Sequence, residues 1–371
     1  MTDCIVVGGG LIGMLSARML HDQGLDVTLL DRQEPGQEAS WAGGGILSPL
    51  YPWRFPDPVT HLASLTQAAF PSFADELLQE TGEDPQWTQN GLLVLDPGQW
   101  DVAQAWARRW PDVQLEALDQ PAVHGCEPAL AEGFDQGVWM PRVAQVRNPR
   151  LMRALQHSLV RRGVDIRPRT PVSGFRVRSG RVTGVITEQG ELLAERVVVA
   201  GGAWTGGLLL SLGAPPIEPV RGQMILFRGP PGLLSRMVLN DDQYIIPRRD
   251  GHVLAGSSLE KVGFDKSITE AAAQTFREAA ARLVPALADL PIEKHWAGLR
   301  PGSPQGIPYI GPHPEVEGLF VNAGHYRNGV VMSIGACRLL TDLIMGHAPI
   351  CDPSPYRIDR ADFSVRRSNA N

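Results

Sequence analysis

Cys4-Ile5-Val6-Val7-Gly8-Gly9-Gly10-Leu11-Ile12-Gly13 is the stretch whose reading decides the fold. Its first four residues form a short apolar run of the kind that makes a buried strand. Glycines 8, 10 and 13 then match the spacing G-x-G-x-x-G. Across residues 11–23 the apolar side chains of Leu11, Met14, Leu15 and Met19 recur at helical spacing, Gly24 supplies a stop, and residues 26–30 read as a second strand. Each glycine has a task in such a unit. Gly8 permits a tight turn, Gly10 lets a pyrophosphate approach the backbone, and Gly13 lets helix and strand pack closely. The free N–H groups and positive end of the helix then face the phosphates. Asp31, ending the second strand, accepts ribose hydroxyls and repels a 2′-phosphate, which disfavours NADP, with neighbouring Arg32 tempering that bias. Strand, glycine turn, helix and terminal acid together predict a dinucleotide site. The motif leaves NAD and FAD open.

Working outward, residues 60–80 and 99–110 read as helices, with a strand over 91–95 between them. A helix over 149–162 is opened by Pro149. Strands are predicted over 164–178 and 181–188, and a buried strand over 195–200 runs into Gly201-Gly202. Residues 220–260 are mostly β, with a hairpin turn at Asp250-Gly251. An alanine-rich helix over 269–283, a late strand over 319–323 and a helix from about Gly329 complete the chain. The order predicts an α/β protein: a Rossmann-like nucleotide domain (1–80, 142–215 and 299–371) interrupted by an α+β second domain on a mainly antiparallel sheet (81–141 and 216–298).

Composition narrows the function. The chain has 371 residues and a formal net charge of -6, with no block of Lys or Arg, which argues against a nucleic-acid partner. Cys4, Cys126, Cys337 and Cys351 form no CxxC pair, and no histidines fall in a paired ligand motif, so no metal site is expected. The first strand begins too early for a secretory signal, and no segment reaches the roughly 20 apolar residues of a membrane span. These features predict a cytoplasmic protein.

Other segments choose the cofactor. Ala39-Ser40-Trp41-Ala42-Gly43-Gly44-Gly45-Ile46-Leu47 resembles the small-residue stretch that flavin-dependent amine oxidases lay along the pyrophosphate and isoalloxazine. Val197 to Trp204 is similar to their second FAD-contacting strand and turn. Residues 295–301, 306–311 and 324–329 resemble their C-terminal signature. The matches run from residue 3 to about 345, and the chain resembles the D-amino-acid oxidase and sarcosine oxidase family. Tyr244-Ile245-Ile246-Pro247-Arg248, Trp296 to Gly302 and His325-Tyr326-Arg327-Asn328-Gly329 are most similar to its glycine-oxidising branch, which serves thiamine biosynthesis.

That resemblance implies non-covalent FAD, since no cysteine lies between Cys126 and Cys337, where sarcosine oxidases carry their flavin-tethering thiol. It implies cofactor contacts at Leu11 and Ile12, Asp31 and Arg32, Ala39 and Ser40, Gly44, Gly45 and Ile46, Val172, Gly201, and the run His325, Tyr326, Arg327, Asn328, Gly329, Val330 and Val331. The departure is Leu259, after the Gly-Ser-Ser run. The implied reaction takes glycine and molecular oxygen to glyoxylate, ammonia and hydrogen peroxide by hydride transfer to flavin N5, in a homotetramer. Sarcosine or D-amino-acid oxidation, with oxygen or a carrier as acceptor, is the alternative.

Such chemistry needs a held carboxylate, an oriented Cα–H and a neutral amine. Arg300 suits the first task, because a planar guanidinium grips two oxygens, although it equally suits a cross-domain ion pair. Tyr244 adds a phenolic hydrogen bond or belongs to the core. Arg327 reaches substrate or braces the flavin loop. No general base stands out, which fits direct hydride transfer. A helix opening near Gly329 is expected to stabilise negative charge on the reduced ring.

Overall fold

The computed structural model describes residues 2–360. The predicted third segment of the nucleotide domain therefore runs, past residue 360, outside the described residues.

Strand Thr2–Val7 sits at the centre of a mixed sheet because its residues Cys4 to Val7 are buried from both sides. It pairs in parallel with Val27–Leu30 on one flank and Gly190–Val199 on the other. Asp165–Arg167 extends the first flank, and Leu319–Ala323 with Tyr309–Pro312 extends the second. A parallel strand buried on two faces needs cover on both. Alternation supplies it: Cys4 and Val6 join a core built with helices Leu11–Asp22, Asp57–Thr81, Asn148–Arg162 and Ser333–Met345. Ile5 and Val7 join a second core with strand Arg181–Thr187 and the segment around Leu209.

The second sheet runs Ile292–Gly302, Glu218–Arg228, His252–Gly256, Gln243–Pro247, Met237–Asn240, Leu92–Val94, Gln136–Met140, Glu116–Asp119. It is antiparallel except where Met237–Asn240 meets Leu92–Val94. Helix Glu270–Leu283 covers one face through Phe276, Ala280 and Leu283, which pack with Ile225, Ile245 and Val253. The strand period of two then turns Tyr244 and Ile246 to the opposite face, where an added Cβ on Gly44 would meet both.

Several elements differ from the sequence reading. The single strand expected over 164–178 is two, Asp165–Arg167 and Val172–Arg178, because Pro168 and Pro171 break it and Arg169 takes a left-handed φ of 52°. The last helix begins at Ser333, not near Gly329. A 3-10 turn at Tyr326–Asn328 precedes it, and the β-branched Val330-Val331 pair that follows Gly329 is a poor helix opening. Strand Ile292–Gly302 extends four residues past the expected boundary at 298, so Arg300 belongs to the second sheet. The short elements Glu116–Asp119 and Gln120–Cys126 carried no sequence signal.

Candidate active site

The glycine turn shows why side chains are excluded. A Cβ on Gly13 would lie 1.7 Å from the Gly8 carbonyl oxygen, and one on Gly8, whose φ is +109°, would lie 2.4 Å from that of Ala200. Gly13 is thus a packing glycine. Gly10 is different, for its Cβ would meet only the Ser40 hydroxyl, at 3.1 Å, and it lines a cavity. That hydroxyl accepts the Leu11 N–H at 2.9 Å, tying the 39–42 turn to the helix start.

The cavity is elongated, with a volume of about 550 Å³. One end is bounded by Gly8, Gly10, Leu11, Ile12, Asp31, Arg32, Val172 and Gly201. Its middle follows Ala39, Ser40, Gly44, Gly45 and Ile46, and its far end is lined by Tyr244, Arg300 and the run 325–331. Every site residue expected from the sequence lines it except Gly13. Leu259 does not line it and is 45% exposed, so the departure from the family pattern leaves the walls untouched.

Asp31 is already engaged, one oxygen accepting the Gly9 N–H at 2.7 Å and the other that of Gln33 at 2.8 Å. Burial pushes its carboxyl up, and these two hydrogen bonds work against that rise. Arg32 lies over the Trp204 ring, 3.6 Å from its centroid, and pairs with Glu38 at 2.8 Å. Trp204 and Glu38 also line the cavity and were missed as site residues. The signal for Trp204 was its position at the end of the Gly201-Gly202 turn.

The middle wall is fixed from behind by Arg248, which is buried and donates to Gly44 O at 2.8 Å, Val146 O at 3.0 Å and Gln145 Oε1 at 2.6 Å. Desolvation holds its guanidinium down at about 10. Val146 N–H takes the Gly45 carbonyl at 2.9 Å, so both glycine carbonyls are engaged by protein donors.

Arg300 is the most informative group at the far end. Its guanidinium lies across Gly222, where an added Cβ would fall 2.0 Å from Nη1. It donates to Ser257 Oγ at 2.7 Å, Ser258 O at 3.0 Å and Arg221 O at 3.4 Å, all neutral acceptors. Among the described residues no carboxylate lies within ion-pairing distance of it. Desolvation lowers its pKa, aided by the nearby positive Arg327 and opposed by the Tyr244 hydroxyl. A buried cation without a counter-charge is expensive, and here it faces a cavity. Ser257 and Gly222 were not foreseen; the Gly-Ser-Ser run was the only trace of the first, and the second is visible only in three dimensions.

The residues fit a flavin dinucleotide. Glycines crowd no side chain into the cavity at the turn or along its middle. Three wall residues carry buried polar atoms without protein partners among the described residues: His325 Nε2, Asn328 Nδ2 and Asn322 Oδ1. Donors and acceptors of this kind suit the polar edge of an isoalloxazine. Burial holds the His325 imidazole neutral, at about 3. No thiol lines the cavity.

Comparison with known proteins agrees with this geometry. Residues 3–343 match the family model described as FAD dependent oxidoreductase. A glycine oxidase of Pseudomonas aeruginosa is 50% identical over 95% of this chain and 97% of its own. The bifunctional protein ThiO/ThiG of Synechocystis is 34% identical over 93% of this chain, which spans 52% of that longer protein. The crystal structure of glycine oxidase from Geobacillus kaustophilus superposes with a TM-score of 0.91 at 30% identity, covering 97% of this chain and 98% of the other. With its glycine turn, cavity and long match in agreement, the chain belongs to the FAD-dependent oxidoreductase family.

Proposed function

We propose that the chain oxidises glycine, with water and oxygen, to glyoxylate, ammonia and hydrogen peroxide. The observation that carries this reading is Arg300, a desolvated guanidinium lining the cavity with only neutral partners among the described residues. It holds the substrate carboxylate bidentately, and the Tyr244 hydroxyl adds a second point of contact. Two-point anchoring fixes the direction of the Cα–H bond. Bound FAD would supply the hydride acceptor and the route of the electrons to oxygen.

The cofactor would lie along Gly8 to Ile12, Asp31, Arg32, Ala39 to Ile46, Val172, Gly201 and His325 to Val331, held without a covalent link. The segments 1–80, 142–215 and 299–371 form the proposed cofactor domain, its part past residue 360 lying outside the described residues, and 81–141 with 216–298 shape the substrate end, to which strand Ile292–Gly302 adds Arg300. Arg327, 3.7 Å from Asp242, reaches substrate or braces the flavin loop. The likeness to glycine oxidases supports the substrate, and that to ThiO/ThiG proteins supports a role in thiamine thiazole synthesis. A cytoplasmic homotetramer completes the proposal. The test is a visible spectrum of the purified protein before and after anaerobic glycine. Bleaching of the flavin bands, with one peroxide formed per glyoxylate on readmitting oxygen, is expected. Bands that persist would refute glycine oxidation, and glyoxylate without peroxide would refute oxygen as acceptor.

A further inference from the structure

Two guanidinium groups, Arg300 and Arg327, line the substrate end of the cavity. They differ in one respect. Arg300 lacks a carboxylate partner among the described residues, whereas Arg327 Nη2 lies 3.7 Å from Asp242 Oδ1. The Arg327 side chain, 19% exposed, lines the cavity, and the Asp242 side chain, 51% exposed, stands against it from outside the lining.

Asp242 is held in that place. It is the second residue of the two-residue turn joining Met237–Asn240 to Gln243–Pro247. Both turn residues are left-handed, Asp241 at φ 48° and Asp242 at φ 62°. Such a turn favours Asn-Gly, and an aspartate pair persists there only when its surroundings hold it. Those surroundings are visible. The buried Asp96 carboxylate accepts the Asp241 N–H at 2.9 Å, and the buried Tyr51 hydroxyl, which donates to Asp96, lies 3.4 Å from the Asp242 nitrogen.

We propose that Asp242 is a specificity-determining residue that cancels the Arg327 charge and so restricts the site to amino acids with a single carboxylate. The inference rests on the reading of Arg300 as the carboxylate clamp. With the α-carboxylate on Arg300, a second carboxylate reaching Arg327 meets a cation already paired and a repelling acid behind it. Selectivity of this sort comes from a built-in repulsive element rather than an added attraction. Glycine, with no side chain, meets no penalty.

The FAD-loaded protein and its D242N and D242E variants are titrated with acetate and with malonate, followed by the shift of the flavin visible band, at a pH where malonate is doubly ionised. Asparagine suits a left-handed turn position at least as well as aspartate, so D242N keeps the turn. D242N is expected to tighten malonate about tenfold, about 1.4 kcal/mol, while acetate moves by less than about twofold. D242E, which keeps the charge, is expected to behave as the unaltered protein. In turnover, the ratio of kcat/KM for D-aspartate to that for D-alanine rises in D242N by a similar factor. Unchanged malonate affinity in D242N, or equal tightening of both ligands, overturns the proposal. The clamp reading fails by a different result: acetate affinity unaltered when Arg300 is replaced.

Discussion

Replacing Arg300 by methionine separates a ligand clamp from a structural arginine. Methionine keeps most of the stem and removes the charge and its three donors to Ser257, Ser258 and Arg221. Removing one partner of a buried charge pair costs about 2–5 kcal/mol, or about 30- to 5000-fold in affinity. The Tyr244 hydroxyl remains close to the site, which favours the lower half of that range, so acetate binding and glycine kcat/KM should fall about 30- to 200-fold. Stability should behave in the opposite way. Burial of this cation is opposed by desolvation and relieved by no carboxylate, so its loss spares the free protein a charge. The melting temperature of R300M should stay within about 2 °C of the parent or rise. R300K, with charge but no fork, should retain about tenfold more affinity than R300M. Spectral titration with acetate, steady-state kinetics and calorimetry read the three quantities. A structural tie would instead cost about 3–5 kcal/mol of stability on truncation. A large drop in melting temperature with unaltered acetate affinity would refute the reasoning.

Other substitutions probe the supports. Y244F should raise the glycine KM about 10- to 150-fold with little change in melting temperature, because one hydrogen bond to a charged carboxylate is lost; unchanged kinetics would place Tyr244 in the core alone. G222A, whose methyl would fall 2.0 Å from Arg300 Nη1, should weaken acetate binding about tenfold or more by displacing the guanidinium; acetate titration checks it. G13A should abolish FAD retention, since its Cβ would lie 1.7 Å from the Gly8 oxygen; a yellow, soluble variant would contradict the packing argument. Burial would raise the Glu260 carboxyl, but hydrogen bonds from Arg221, Ser258 and Gln223 outweigh it and hold the group at about 2. Its folded pKa lies below the ordinary 4.5, so its contribution is present above pH 4.5 and lost as pH falls toward 2. Melting curves across that window should be flatter for E260Q than for the parent.

Much of the cofactor end was legible in the sequence because it depends on backbone. Gly8, Gly10, Gly13 and the 43–45 run are written as glycine, and their spacing has one cheap explanation. Arg300 was legible as a residue but not as a role, because an arginine reads the same whether it meets a protein carboxylate or a ligand. The distinction needed the absence of an acid around it among the described residues, which only folding reveals. Gly222 and Ser257 escaped for a related reason: a glycine inside one strand and a serine just past the end of another carry no periodic signature, and their meaning comes from the guanidinium that meets both. The late helix was misplaced at Gly329 since a glycine after a strand marks a turn without saying how many residues the turn consumes.

Arg248 joins the glycine run of one sheet's territory to a strand of the other through Gly44 O. Its consequence reaches beyond local geometry. A molecule stitched in this way has no means of losing the order of its antiparallel layer while keeping its yellow ligand seated. Release of the chromophore on heating, seen as a rise in its fluorescence, and collapse of β-structure should therefore be a single event.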